Sequence, residues 1–248
     1  MARSDLPRRL TALANLFGTD GLARLTAAHV VVVGLGGVGS WAAEALARSG
    51  VGRLTLIDMD VVVESNLNRQ VQALRTTCGM AKVTALAERF AQIAPELDVR
   101  PVDAFVTPEN VATLLAEAPD GVIDATDDGK AKVALACWAR ESGTPLILAG
   151  AAGGKRDPTR IRCADLASAI QDPLLAKVRS RLRRLYGFPR APRKMGVKVV
   201  FSDEPMVRGA ACDAAAGLAC AGYGSVVTVT GAMGFAAAQW MLERLIAR

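Results

Sequence analysis

The residues of this 248-residue chain whose types and spacing could do chemistry gather in its first half. HVVVVGLGGVGSWAAEALA carries Gly34, Gly36 and Gly39 in GxGxxG spacing, with Gly37 between them. Such a loop, set between a strand and a helix, suits a phosphate. The first glycine makes the turn, the second lets a phosphate approach the backbone, and the third brings helix and strand together, while the helix N-terminus offers free N–H groups. Asp58 and Asp60, in LTLIDMDVV, stand where an acid accepts from ribose hydroxyls, and Asp58 is the preferred ligand. SNLNRQ then supplies Asn66, Arg69 and Gln70, and GMAKVTAL supplies Lys82. Arg69 and Lys82 are suited to stabilise charge that builds on an α-phosphate and on departing pyrophosphate. Asp127, in GVIDATDDGK, follows another apolar run and is the preferred ligand for a Mg2+ ion bridging ATP oxygens. Asp124 belongs in or near the strand end, and Asp128 caps the next helix. Plainer readings compete: surface ion-pair residues for Arg69 and Lys82, a helix cap for Asp127. The spacing of the glycine loop alone does not distinguish ATP from a nicotinamide dinucleotide.

These groups need a scaffold of alternating strands and helices. HVVVVG and RLTLID read as buried strands flanking the helix WAAEALARSG, a βαβ unit that implies a parallel sheet. The alternation continues through the helix MAKVTALAERFAQI, the strand VRPVDAFV, the helix ENVATLLAEA, the strand GVIDAT, the helix KAKVALACWARESG and the strand PLILAG. Ahead of it, residues 5–28 read as an amphipathic helix, a turn through Gly18 to Gly21 and another helical turn, an attached N-terminal arm. After AAGGKRDP, TRIRCADL suggests an edge strand, residues 173–186 a basic helix, KVVFSDE a strand, SVVTVT a further strand, and GAMGFAAAQWMLERLIA the last helix. The fold class is therefore α/β: a Rossmann-like, mostly parallel sheet with flanking helices and a basic insertion in the C-terminal half. One domain over 1–248 is expected, with an arm at 1–28, a nucleotide-binding core at 29–150 and a basic substrate-binding and C-terminal region at 151–248.

Composition removes several alternatives. The chain has a single histidine, His29, so one subunit cannot build a three-histidine metal site or a histidine relay; His29 itself reads as a structural strand-entry residue. The net charge of +6 is regional: residues 155–198 hold 13 basic and 3 acidic residues, a surface for an anionic partner. Five cysteines without a CxxC pair, behind a start unlike a signal peptide, fit a reducing cytoplasm. The 29 uncharged residues between Asp213 and Glu243 are long enough to span a bilayer, but their glycine- and alanine-rich composition favours a turn, a strand and a buried helix.

GLGGVGSWAAEALARSGVGRLTLIDMD, SNLNRQ, the spaced Lys82 and VIDATDD together resemble the ATP-dependent activating-enzyme family, which includes ubiquitin-activating enzymes and bacterial activators of sulfur-carrier proteins. The resemblance implies a ubiquitin-activating-enzyme-like fold and adenylation of a carboxylate with release of pyrophosphate. It places Asp58 on the ATP ribose, Asn66 and Arg69 on the phosphates, Lys82 on the transferring phosphate and Asp127 on magnesium. NRQVQALR, DAFVTPENVA, AGGKRDPTRI, DLASAIQDPLLAKVRSRLRR and KVVFSDE extend the likeness to the family's tRNA-modifying dehydratases, over roughly residues 9–246. That likeness implies ATP-dependent dehydration of threonylcarbamoyladenosine beside the tRNA anticodon, with the threonyl carboxylate adenylated and the ring then closed to an oxazolone. The basic 155–198 region becomes a tRNA surface, with Arg183 and Arg184 expected to carry binding. It also implies a homodimer in which Arg9 enters the neighbouring subunit's ATP site, and keeps a sulfur-transfer protein partner and peripheral membrane association in view. This chain departs from many relatives in lacking the cysteine spacing for structural zinc or thioester transfer. Asn15 stands where close relatives would carry another arginine, and Cys220 reads as a buried packing residue. Two other activities stay open: adenylation of the C-terminus of a ubiquitin-like or sulfur-carrier protein, and NAD-dependent oxidoreduction.

Overall fold

The computed structural model describes residues 7–207 and 223–247. Its strands are β1 (His29–Val33), β2 (Arg53–Ile57), β3 (Asp98–Val102), β4 (Gly121–Asp124), β5 (Leu146–Ala149), β6 (Ile161–Asp165) and β7 (Lys198–Ser202). They form one sheet in the order β3-β2-β1-β4-β5-β7-β6, parallel throughout except that β6 runs antiparallel to β7. The central strands are apolar at successive positions because both faces are covered. Val30 and Val32 enter one core with Leu54, Leu56, Ile123, Ile147 and Val200, and Val31 and Val33 enter the other with Ile57, Val122, Leu148 and Val199. The first core is roofed by α1 (Thr11–Ala27), α2 (Gly39–Arg48), α3 (Lys82–Ile93) and α7 (Val227–Ile246), the second by α4 (Val111–Leu114), α5 (Gly129–Ser142) and α6 (Pro173–Leu185).

The alternation of elements follows the sequence pattern, with two differences. ENVATLLAEA forms only the four-residue α4, because Val111, Leu114 and Leu115 give a single apolar turn and Ala118 takes a positive φ of 47°. SVVTVT is not a strand: α7 begins at Val227, and Val229, Met233, Ala237 and Met241 form a helical stripe buried in the first core. Local β-branching favours a strand, but this stripe can be buried only as a helix. Glycines then let α7 approach its neighbours, since a Cβ on Gly234 would lie 2.5 Å from the Val38 carbonyl oxygen. Residues 155–198 pack on the same sheet, as their pattern predicts. They supply the edge strand β6, the helix α6 packed on α5, and the first residue of β7.

The N-terminal segment breaks where expected: Gly18, at φ 75° and ψ 166°, kinks α1. It is docked on the body of the protein, with Leu25 in the first core and Leu10, Ala14 and Leu22 forming a small cluster of their own. Cys212 and Cys220 lie outside the described residues.

Candidate active site

The carboxyl ends of β1, β2 and β4 bring the sequence-predicted residues around the glycine loop. Gly34 has φ 81°, and a Cβ there would stand 2.8 Å from the Thr126 nitrogen, so only glycine lets β1 turn against the loop that follows β4. A Cβ on Gly39 would lie 1.8 Å from the Gly34 carbonyl oxygen, which fixes the close packing of α2 on the turn. At Gly36 a Cβ would meet nothing within 4 Å; the loop opens onto free space there. The N–H groups of Gly36, Gly37, Val38 and Gly39, leading into the start of α2, find no acceptor among the described residues. This is the local arrangement that attracts a phosphate.

The back of the loop is tied down. Asp58, with its side chain 9% exposed, accepts the Leu35 N–H at 2.6 Å through Oδ2 and the Asp60 N–H at 2.8 Å through Oδ1. Gln72 Nε2 donates to the Leu35 carbonyl at 2.9 Å from a buried position. Gln72 escaped the sequence reading; an amide inside NRQVQALR, on a stretch that must pass the loop, was the available signal. Asp58 keeps lone pairs for a further donor, so its hold on the loop is compatible with accepting from a ribose.

Lys82 is the first residue of α3, its side chain 7% exposed, and its Nζ lies 2.6 Å from Asp60 Oδ2 and 3.8 Å from Asp58 Oδ1. Asp60, by contrast, is 58% exposed. The Lys82 ammonium is therefore an oriented charge at the crevice rather than a solvated surface group. Arg69 lies across the glycine loop, its Cγ 3.3 Å from where a Cβ on Gly37 would stand. Its Nη1 donates to the Ser65 carbonyl at 2.7 Å and to Asn68 Oδ1 at 2.9 Å, and its own carbonyl accepts from Trp41 Nε1 at 3.0 Å. No carboxylate neutralises it among the described residues. Asn66 builds the turn that presents Arg69: its side chain accepts the Val63 N–H, and its carbonyl accepts the N–H groups of Arg69 and Gln70.

On the other side of the loop, Asp128 caps α5 by accepting the Lys130 N–H at 2.7 Å, as its position predicts. That leaves Asp127 exposed, with its carboxylate unpartnered among the described residues. The turn that carries it is set from below by a pair the sequence reading missed. Asp124 and Lys132 are both 0% exposed, with Lys132 Nζ 3.0 Å from Asp124 Oδ2, while Asp124 Oδ1 accepts from Thr126 N–H at 3.0 Å and from its hydroxyl at 2.7 Å. Lys132 lies on the buried side of α5 with Leu135 and Ala136, and a lysine on an apolar helix face was the signal for a buried partner.

Further along the same sheet edge, buried Asp172 caps α6 through the Leu175 N–H and accepts the Ala151 N–H at 2.8 Å. Lys155 donates to the carbonyls of Gln171, Ser202 and Glu204, joining three loops. Burial pushes its ammonium below the ordinary lysine pKa, against the pull of Asp172 and Glu204. Two predicted residues lie at the opposite end of the strands. His29 enters β1 with its ring nitrogen 2.8 Å from the Thr55 hydroxyl, and burial followed by the nearby Arg53 lowers its pKa, as suits a structural residue. Arg9 pairs with Glu96 just before β3, at the end of the sheet away from its own glycine loop.

A doubly wound sheet whose first strand turns through a phosphate loop, with an oriented lysine and a free carboxylate across the same crevice, defines a nucleotide-binding α/β protein of the kind that works at strand carboxyl ends. The chain belongs to the ThiF family, whose profile matches residues 8–248. It is 44% identical over 252 residues to the tRNA threonylcarbamoyladenosine dehydratase of Haemophilus influenzae, covering 99% of this chain and 97% of that one. The protein of the same name from Escherichia coli is 45% identical over 253 residues, covering 97% and 94% of the two chains. A crystal structure of the Escherichia coli tRNA N6-threonylcarbamoyladenosine dehydratase in complex with ATP superposes with a TM-score of 0.89 at 45% identity, covering 97% of this chain and 94% of that chain. Among the described residues no helix is long and apolar enough to cross a membrane.

Proposed function

We propose that this chain is an ATP-dependent tRNA threonylcarbamoyladenosine dehydratase acting as one domain. The observation that carries the reading is the open space in front of Gly36, with the unpartnered N–H groups of residues 36–39, Arg69 beside Gly37, the Lys82 ammonium beside Asp58 and Asp60, and exposed Asp127 after β4, all at the carboxyl ends of β1, β2 and β4. A nicotinamide dehydrogenase needs the loop and the acid but has no use for this set of cations and free carboxylate.

In this reading the loop N–H groups hold the phosphates of ATP and Asp58 accepts from its ribose. The threonyl carboxylate of the modified adenosine attacks the α-phosphorus, the bond to the bridging oxygen breaks, and pyrophosphate leaves. Lys82 and Arg69 take up the charge that develops on the α-phosphate and on the leaving group. The carbamoyl oxygen of the same nucleoside then attacks the acyl-adenylate carbonyl and expels AMP, while the carbamoyl nitrogen loses its proton and the oxazolone ring closes. The oxygen lost by the substrate departs in AMP, so the net change in the nucleoside is loss of water. Both reacting groups sit on one nucleotide, and proximity makes the second step intramolecular without an enzyme nucleophile. Asp127 would hold Mg2+: one exposed, hard-oxygen carboxylate is what this ion takes from a protein when phosphates and water supply its other ligands. The ion would neutralise phosphate charge. Arg9 cannot serve its own loop from beside Glu96, which supports a homodimer in which it serves the neighbouring subunit's.

The test is incubation with ATP, Mg2+ and tRNA that carries or lacks threonylcarbamoyladenosine, followed by measurement of pyrophosphate and of nucleoside mass. Modification-dependent pyrophosphate together with a nucleoside lighter by one water is expected. Pyrophosphate released only with a carrier protein would refute the assignment.

A further inference from the structure

The five cations of α6 do not form one undifferentiated patch. Leu175, Val178 and Leu182 are the buried stripe of the helix, and two arginines are committed to the fold beside them. Arg179 Nη1 donates to the carbonyls of Leu166 at 3.1 Å and Ala169 at 2.7 Å, and Arg183 Nε donates to the Pro189 carbonyl at 3.1 Å. Lys177, Arg181 and Arg184 are exposed, and their side chains make no ion pair or hydrogen bond among the described residues. Their spacing of four and three residues puts them on one outward face, a stripe about 10 Å long at the helical rise.

The stripe continues past the helix. Arg190, Arg193 and Lys194 are likewise exposed and unpaired among the described residues. Their loop is fixed at both ends. The Arg140 guanidinium lies 4.1 Å from the centre of the Phe188 ring, and Asp165 accepts the N–H groups of Met195 at 2.9 Å and Gly196 at 2.8 Å. Asp165 and Asp172 are thus spent on backbone N–H groups, and no carboxylate shields the stripe among the described residues. The start of α6 stands at the active-site edge: a Cβ on Gly129, two residues after Asp127, would lie 3.8 Å from Leu174 and 3.9 Å from Val178.

We propose that Lys177, Arg181 and Arg184, continued by Arg190, Arg193 and Lys194, form a track for the phosphate backbone of a structured RNA, leading away from the Asp127 edge. The inference rests on the tRNA reading above and assigns that partner's backbone a path. A nucleotide presented at the glycine loop and the backbone of the same molecule are then held by one rigid helix. A bilayer suits this surface less well, because Leu175, Val178 and Leu182 are buried and only Leu185 and Tyr186, at the end of α6, offer exposed apolar area for insertion.

The experiment measures binding of an unmodified tRNA transcript as a function of salt. The triple variant Lys177→Gln/Arg181→Gln/Arg184→Gln is compared with Arg24→Gln/Arg53→Gln/Arg100→Gln, which removes the same charge from other exposed sites. Each lost phosphate contact lowers the slope of log K against log salt by about 1, so the stripe variant should lose about 3 from its slope. At low salt its Kd should rise at least about tenfold, with a thermal midpoint close to wild type. The control triple should keep most of both slope and affinity. Equal effects of the two triples, or stripe-dependent binding to phosphatidylserine vesicles with tRNA binding unaltered, would overturn the track. Because the transcript carries no threonylcarbamoyl group, stripe-dependent binding without any dehydrated product from modified tRNA would sink the catalytic reading and leave the track standing.

Discussion

Replacing Lys132 with methionine strips a fully buried carboxylate of its cation. Asp124 and Lys132 are both inaccessible to solvent and 3.0 Å apart, so water cannot replace the lost partner. Breaking such a pair from one side costs about 3–5 kcal/mol, because the remaining charge stays buried and unpaired. With a urea dependence of about 3 kcal/mol per molar, the unfolding midpoint should fall by about 1 M or more. Asp124 also holds the backbone N–H and hydroxyl of Thr126, one residue before Asp127, so the turn should loosen and pyrophosphate formation should fall in the same variant. A thermodynamic cycle separates the pair from simple packing. Asp124→Asn/Lys132→Met keeps an acceptor for Thr126 and buries no charge, and it should be more stable than Lys132→Met alone by about 2 kcal/mol. The measurements are urea unfolding of the four proteins and pyrophosphate release at fixed ATP and tRNA. A loss under about 1 kcal/mol for Lys132→Met, or single-variant effects that simply add, would refute the view that the pair is held together by mutual need.

Three further outcomes follow from the same geometry. Lys82→Ala should slow adenylation by about 10²–10³-fold, as removal of an oriented charge-stabilising group does, while tRNA affinity changes little; single-turnover assays and filter binding read the two. Gly36→Ala should leave stability within about 1 kcal/mol, since its Cβ meets nothing within 4 Å, yet weaken ATP binding measured by calorimetry, whereas Gly39→Ala, with a Cβ 1.8 Å from the Gly34 oxygen, should destabilise the fold by about 1–3 kcal/mol. Glu44 is buried, which disfavours its charge, but hydrogen bonds from Arg89 and Arg48 hold its carboxyl below the ordinary 4.5. A depressed carboxyl stabilises the fold above its unfolded value, and that contribution is lost as pH falls through the folded value. The stability gap between wild type and Glu44→Gln should therefore be present at pH 7 and close below pH 4.5, as urea midpoints at both ends will tell.

The site was legible in sequence where chemistry demands a residue type at a fixed distance along the chain. The glycine loop, Asp58 after β2, and Asp128 as the cap of α5 all depend on neighbours within one βαβ unit, and all stand where the pattern puts them. What spacing could not supply was orientation. Spacing places Arg9 just ahead of α1, but only the fold sets it beside Glu96, at the end of the strands away from its own subunit's glycine loop. Arg183 and Arg184 are adjacent and alike in sequence, but a 100° step around α6 ties one to the Pro189 carbonyl and leaves the other in solvent.

The sequence by itself determined the parallel α/β sheet, through apolar strands alternating with amphipathic helices, and it determined the glycine turn between β1 and α2, because such a turn works through its own backbone. The tertiary structure alone decided which charges are committed and which are free. Lys132 and Lys155 are cations in the sequence like any other, and burial against Asp124 and against three backbone carbonyls makes them part of the frame. SVVTVT went to a helix for the same reason: local propensity is worth a few tenths of a kcal/mol per residue, and burying Val229, Met233, Ala237 and Met241 against the sheet and α2 outweighs it.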